Sequence, residues 1–154
     1  MSKYTLVRAA DAEVLPAAGI TLLADASGTG GVLTSNRSFM AEGTDGAPPH
    51  LHTGAAELFY VLDGTLDVLL GEEVLTIAKN DLLVVPAGTP HAFAPAKGDS
   101  ADVLFVYTPS KPRFEYYRLL ERVYTGEADP AEFGRTQELY DNHYVDSPVW
   151  AARG

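Results

Sequence analysis

Two short stretches dominate the interpretation of this sequence: PHLHTGAAELFYVLDG at residues 49–64 and PAGTPH at residues 86–91. Between them they hold three of the chain's four histidines and one glutamate that follows the first pair closely. The residues concerned are His50, His52, Glu57 and His91. Imidazole and carboxylate groups collected in this way are typical of a metal site or a catalytic centre.

The spacing of these residues indicates which side chains point together. Side chains two positions apart on a β-strand project from the same face, so His50 and His52 lie side by side. Two further groups share a face in the same way: Glu57 with Phe59 and Val61, and His91 with Phe93. If these faces line one interior, three imidazoles and a carboxylate converge in a mostly apolar cavity.

Such a cluster predicts one divalent transition metal ion. Nitrogen and oxygen ligands without thiolate suit iron, manganese, nickel, copper or zinc. Four protein ligands on an ion that prefers six leave two positions open for water, dioxygen or a chelating substrate. A zinc ion enclosed tetrahedrally by all four ligands is the alternative, and it would be structural.

The surrounding sequence predicts an antiparallel sandwich or barrel between Tyr4 and Thr108. Short β-rich runs alternate there with Gly, Pro, Asn and Asp at a spacing of roughly 8–12 residues, which is too tight for parallel crossovers. The predicted strands are Thr5–Val7, Ile20–Leu23, Ser38–Met40, Leu58–Leu62, Thr65–Leu70, Glu73–Ala78, Asp81–Val85, Pro90–Ala94 and Asp102–Tyr107.

After Pro112 the pattern changes to helix. Residues Phe114–Tyr124 are amphipathic and stop before Gly126, and Asp129-Pro130 is a helix-start signal for a second helix to about Tyr140. We therefore divide the chain into a β domain at residues 1–110 and a C-terminal segment of helices and tail at residues 111–154.

The C-terminal segment is rich in aromatic residues and is expected to pack on the β domain or on a partner subunit, with a substrate lid as the alternative. Its histidine, His143, is expected to be structural. Either His143 or Asp141 becomes an acid/base candidate if it lies in the pocket.

Composition excludes several functions. The chain has 154 residues, enough for one domain, and a formal charge of −10, which disfavours nucleic-acid and membrane-surface partners. It has no cysteine, so disulfides, thiolate metal sites and a cysteine nucleophile are excluded. The N-terminal residues lack the apolar core of a signal peptide, and we expect a cytoplasmic protein.

The two stretches resemble the motifs of the cupin superfamily, in particular its single-domain members. Residues 43–64 are similar to the first motif, His-x-His, three or four residues, Glu, six residues, Gly, and residues 80–95 are similar to the second, Pro-x-Gly-x-x-His. The departures are Thr44 and Asn80 in place of glycine and Pro95 in place of asparagine. None of them removes a ligand, so the resemblance fills all four metal positions with His50, His52, Glu57 and His91.

The resemblance implies an all-β fold, an antiparallel cupin β-barrel or jelly roll that usually forms a homodimer, with the metal inside. It points first to a quercetinase-like dioxygenase acting on a small aromatic or enolisable molecule, with Glu57 as a ligand or as the catalytic base. We expect Phe59, Val61 and Phe93 to line the substrate pocket, with ordinary barrel core as the alternative for each of them. The alternatives are a Lewis-acid metalloenzyme (isomerase, decarboxylase or polyketide-type cyclase) and a cupin that binds a small molecule without turnover.

Overall fold

The structure is a computed structural model and describes residues 3–153. This part of the chain forms ten strands, four α-helices and one turn of 3-10 helix at Ala9–Asp11. The strands are β1 Glu13–Leu15, β2 Ile20–Ala24, β3 Thr34–Met40, β4 Ala47–Leu51, β5 Ala56–Leu70, β6 Glu73–Ala78, β7 Leu82–Val85, β8 His91–Pro95, β9 Ala101–Thr108 and β10 His143–Tyr144. The helices are α1 Ala26–Thr29, α2 Phe114–Tyr124, α3 Pro130–Arg135 and α4 Pro148–Ala151.

The strands form two antiparallel sheets that share the long strand β5. Its first part, to Gly64, pairs with β7 and β9, and its second part, from Thr65, pairs with β6 and β8. The strand orders are β1-β2-β3-β9-β5-β7 in sheet A and β10-β4-β8-β5-β6 in sheet B. The expected antiparallel jelly roll is confirmed. The strands do not close into a complete barrel, because β1 and β10 lie at the two ends of the strand order and do not pair with each other.

The passage of β5 from one sheet to the other corrects part of the strand prediction. The sequence predicted two strands, Leu58–Leu62 and Thr65–Leu70, separated by a turn at Asp63-Gly64. Gly64 instead bends a continuous strand: its φ is 75°, and a Cβ there would collide with the backbone carbonyl oxygen of Ser100. The chain therefore changes sheet without reversing direction.

Between the two sheets lies the main hydrophobic core. The alternation predicted for β5 is observed, since Glu57, Phe59 and Val61 are buried while Leu58, Tyr60 and Leu62 are partly exposed. The core cluster consists of Met40, Phe59, Leu66, Val68, Val85, Ala101, Val103 and Phe105. Burying these side chains is the principal source of stability of the fold.

The C-terminal segment packs on sheet A through aromatic residues. Helix α2 has the predicted bounds and buries Tyr116 and Tyr117 against the β1–β2 hairpin. Asp129 caps α3 as predicted, its carboxylate accepting from the N–H of Ala131 at 2.8 Å, but α3 ends at Arg135 rather than near residue 140. The chain then returns to add β10 to the edge of β4.

The prediction was wrong at the N-terminus, where Thr5–Val7 forms no strand and β1 begins only at Glu13. Among residues 3–153, none of the helices has the length and apolar character needed to cross a membrane.

Candidate metal centre

The four predicted ligands converge in the interior. His50 lies in β4 and His91 begins β8, and these two residues are directly opposite each other in the β4–β8 pair. His52 follows β4, and Glu57 lies at the start of β5. All four side chains are buried, and each offers one ligand atom within 4.8 Å of the others.

Each imidazole is oriented by a hydrogen bond from its Nδ1 to a backbone carbonyl. The acceptors are Pro48 for His50 at 2.7 Å, Thr89 for His91 at 2.9 Å, and Asp141 for His52 at 2.8 Å. A carbonyl oxygen can only accept, so each Nδ1 carries a proton, and Nε2 is the ring atom left to face the centre of the cluster. This arrangement is the one by which metal-binding histidines are usually held.

Glu57 supplies the negative charge of the centre. Its Oε2 lies 3.1 Å from His52 Nε2 and 2.7 Å from His91 Nε2, whereas its Oε1 is buried without a hydrogen-bond partner. A buried carboxylate is costly unless a positive charge is shared with it, either a proton on the neighbouring imidazoles or a metal ion. The donor set therefore fits a divalent transition metal ion, which would be held by His50, His52, Glu57 and His91.

The protonation states of His50 and Glu57 are those of metal ligands. Burial lowers the pKa of His50 to about 3, helped by the neighbouring imidazoles, so His50 is neutral at physiological pH. Burial raises the pKa of Glu57, but the hydrogen bonds from His52 and His91 outweigh it and hold the pKa well below its ordinary value. Glu57 is thus an anion and His50 a neutral donor, the forms in which both bind metal.

A cavity of about 280 Å³ adjoins the cluster between the sheets and the C-terminal segment. Of the four ligands, only His50 is part of its wall, so His50 marks where the metal centre meets the cavity. The rest of the wall is largely aromatic and apolar, and includes Met40, Phe93, Phe105, Tyr107, Tyr116, Tyr117, Leu120, Tyr124 and Phe133.

The three expected pocket residues have different positions. Phe93 lines the cavity. Phe59 and Val61 are fully buried and are not among the lining residues. The ring of Phe59 packs edge-on against Phe93 and Phe105, with centroids 5.3 and 4.9 Å away, and these two rings form the cavity wall in front of it.

Sequence reasoning missed the role of Asp141. Besides the bond from its backbone oxygen to His52, its carboxylate accepts hydrogen bonds from the N–H groups of Thr53 and Gly54, both at 2.9 Å, and from Lys111 Nζ at 3.0 Å. Burial alone would raise the pKa of Asp141, but these bonds hold it well below its ordinary value. Asp141 is therefore an anion at neutral pH, and it fixes the loop between His52 and Glu57.

His143 contacts Asp141 and lies outside the cavity wall. Its Nε2 lies 2.9 Å from the Asp141 carboxylate, and neither residue lines the cavity. Other cavity residues were also missed, namely Arg113, Tyr107 and Asn142. They lie outside the two motifs, and only their contacts across the fold reveal them.

Comparisons with known proteins agree with this geometry. The model of the Cupin_2 family, described as a cupin domain, matches residues 37–107, the segment that contains all four ligands. A curated relative, "Probable oxidoreductase virH" from Hypocrea virens, is 32% identical over 71 residues, which are 46% of this chain and 32% of that protein. The chain thus aligns with about a third of the length of this relative.

Solved structures show the same fold. PAC13 from Streptomyces with uridine has a TM-score of 0.57 at 20% identity, covering 73% of this chain and 87% of that one, and PAC13 is described as a nucleoside dehydratase. KdgF from Halomonas sp. has a TM-score of 0.51 at 23% identity, covering 60% and 82%. The cupin domain of Cnp3 from Schizosaccharomyces pombe has a TM-score of 0.52 at 13% identity, covering 78% and 77%. With two antiparallel sheets, both motifs and the buried His/His/Glu/His cluster in place, the chain is a cupin, and its cupin domain matches the Cupin_2 family over residues 37–107.

Proposed function

We propose that the protein is a metal-dependent enzyme for a small aromatic or enolisable molecule, and that its reaction is a quercetinase-like dioxygenation. One observation carries the proposal: the four buried ligands meet a cavity through His50, and the wall of that cavity is rich in aromatic residues. A molecule in the cavity reaches the metal centre from the His50 side with its ring against Phe93 and Phe105. The similarity of the cupin segment to a protein named as a probable oxidoreductase supports oxidative chemistry.

The protein's own groups have distinct tasks in this reaction. The ion, when bound, supplies positive charge for a substrate enolate or catecholate and the electronic states that allow reaction with dioxygen. The ion would be held in a fixed position by the imidazoles of His50, His52 and His91. Glu57 either remains a ligand or takes the substrate's acidic proton on Oε1, the oxygen without a partner. Both atoms of dioxygen enter the product, so no external reductant is required.

A second candidate is a Lewis-acid enzyme, and the pair Tyr107–Tyr117 favours it. Their hydroxyl oxygens lie 3.2 Å apart, and both residues line the cavity. Burial raises the pKa of Tyr107 well above its ordinary value, so this phenol stays protonated and can donate a hydrogen bond to a leaving hydroxyl. In a loss of water or an isomerisation, Glu57 would accept the proton removed from carbon and return it to the leaving hydroxyl or to a second carbon.

The test is oxygen uptake by untagged, metal-loaded protein on a panel of catechols and enediols, with ¹⁸O₂ and mass spectrometry of the product. The proposal predicts uptake with both labelled atoms in one product, and no uptake by His91→Ala. Turnover with loss of water and no oxygen uptake would replace the dioxygenase with the Lewis-acid enzyme. Binding of these compounds without any turnover would identify a small-molecule-binding cupin.

A further inference from the structure

Arg113 is a buried cation in the wall of the cavity. It precedes α2, is 3% exposed and lies among three tyrosine rings. Its Cζ lies 4.1 Å from the ring centroid of Tyr116, 5.0 Å from that of Tyr107 and 5.3 Å from that of Tyr117. These rings favour a planar cation, but they carry no formal charge.

The charge of Arg113 has no acidic partner within the described residues. Nη1 donates to Asn142 Oδ1 at 3.0 Å and to the Tyr140 carbonyl at 3.4 Å, Nη2 donates to the Tyr107 hydroxyl at 3.4 Å, and Nε has no partner. Across residues 3–153, no Asp or Glu oxygen lies within 4.0 Å of the guanidinium. Buried arginines are ordinarily paired, so this one is an exception.

Lys111 provides a comparison within the same segment. Its Nζ, equally buried, lies 3.0 Å from the carboxylate of Asp141. The fold thus neutralises the cation that faces the ligand loop and leaves the cation that faces the cavity without a counter-ion. The missing negative charge is one that a molecule in the cavity would bring.

Arg113 and the metal centre face the same cavity from different positions. The ring of Tyr107 lies between them, 5.0 Å from the Arg113 Cζ and 5.5 Å, edge-on, from the ring of His52. The charge of a divalent ion is one unit larger than the negative charge of Glu57, and Arg113 adds a further positive charge. A small molecule would therefore suit both the metal centre and Arg113 when it carries an oxygen ligand at one end and an anionic group at the other.

We propose that Arg113 binds a carboxylate of the substrate, so that the substrate class is a small aromatic or enolisable carboxylic acid. A planar guanidinium with a free Nε–H suits a planar carboxylate. The aromatic wall accommodates the ring, and the diol or enol oxygen reaches the metal past His50. This inference rests on the proposed function, because Arg113 lines the same cavity that the metal centre adjoins and would bind another part of the same substrate.

Two matched probes test the proposal: 3,4-dihydroxybenzoate and its neutral isostere 3,4-dihydroxybenzamide. Calorimetry on the Co²⁺-loaded protein measures their affinities, and the visible absorption of Co²⁺ reports whether each diol reaches the metal. The wild type should bind the benzoate more tightly by on the order of tenfold, the effect of one charge-assisted hydrogen-bonded pair. Arg113→Gln should abolish this preference while both probes still change the Co²⁺ absorption.

The control is Arg118→Gln, which removes a half-exposed arginine of the same helix that is paired with Glu13, and it should leave the preference unchanged. Should Arg113→Gln fail to fold by circular dichroism, Arg113→Lys replaces it and should keep part of the preference.

Equal affinities for the two probes in the wild type, or a preference that survives Arg113→Gln, would overturn the assignment of Arg113 and leave the metal function standing. An unchanged Co²⁺ absorption with an Arg113-dependent preference would uphold the carboxylate site and remove the proposed function instead.

Discussion

At the scale of single residues, Asp141 connects the C-terminal segment to the metal ligands. Its backbone oxygen holds the ring of His52, and its carboxylate holds Thr53, Gly54 and Lys111. Its φ is 53°, a left-handed conformation that asparagine also tolerates. Asp141→Asn therefore removes the charge with little change in backbone preference.

We expect Asp141→Asn to destabilise the protein by about 3 kcal/mol, because it leaves the buried Lys111 without its counter-ion. It should also lower metal affinity, on the order of tenfold, since the group that orients His52 becomes less firmly held. Urea unfolding and competition with a metal chelator measure the two effects. An unchanged free energy of unfolding would show that the pair contributes nothing.

The same residue predicts a pH dependence. Because the pKa of Asp141 is lower in the folded protein than the ordinary value of about 3.9, its contribution to stability is complete above that value and is lost as the pH falls through the folded pKa. The difference in unfolding free energy between wild type and Asp141→Asn should therefore be constant near neutral pH and shrink below about pH 4. Urea titrations at several pH values measure it, and a difference that grows on acidification would contradict this account.

At the scale of elements, β5 depends on its glycine. Gly64 combines a positive φ with a close approach to the Ser100 carbonyl, whereas Gly71 has a positive φ of 60° and open space around its Cα. A side chain at Gly71 would introduce backbone strain alone, whereas one at Gly64 would introduce the same strain and a collision. Comparing substitutions at the two positions therefore separates the two effects.

We expect Gly71→Ala to cost about 1–2 kcal/mol, the usual penalty for a left-handed residue with a Cβ. Gly64→Ala should cost at least about 2 kcal/mol more, because the backbone at Ser100, next to the paired strand β9, must also move away from β5. Thermal and urea unfolding of both variants decide the point. Equal losses would mean that β5 adapts at the crossing without strain.

The elements also show what the sequence could predict. Local signals worked where the cause was local: the period-two alternation placed Glu57 and Phe59 on the inner face, and the periodicity of α2 gave its bounds. The alternation shows which side chains point inward, but it does not show how far each one lies from the cavity. It could therefore not distinguish Phe59, which lies behind the cavity wall, from Phe93, which forms part of that wall.

The contacts made by the C-terminal segment could not be predicted because they join distant positions. His52 and Asp141 are 89 residues apart, and β10 contains only two residues, too few for any periodic pattern. Arg113 likewise has partners from β9 and from the segment after α3. Only the folded arrangement shows that this arginine lacks an acid.

At the scale of the whole molecule, the outer face of sheet A is apolar. Its strands β5, β7 and β9 present a continuous row of large side chains, with Leu82 and Val84 each more than half exposed. The row consists of Leu58, Tyr60, Leu82, Val84, Leu104 and Val106. A contiguous exposed apolar patch of this kind marks a contact surface.

We propose that this face joins two copies of the chain, in keeping with the homodimer expected from the sequence. Wild type should elute in light-scattering chromatography with twice the mass of one chain. The double variant Leu82→Asp/Val84→Asp should elute as a monomer, and Leu75→Asp, an exposed leucine on sheet B, should remain dimeric. A monomeric wild type, or a dimeric double variant, would refute this interface.

The metal centre formed by His50, His52, Glu57 and His91 is expected to hold one ion. Elemental analysis of untagged protein, purified without chelator, tests this occupancy most directly, with His91→Ala and His143→Ala prepared in parallel. We expect close to one ion per chain in the wild type and in His143→Ala, and none in His91→Ala at retained β-sheet circular dichroism. A full complement of metal in folded His91→Ala, or a wild type that takes up none when metal is added, would contradict it.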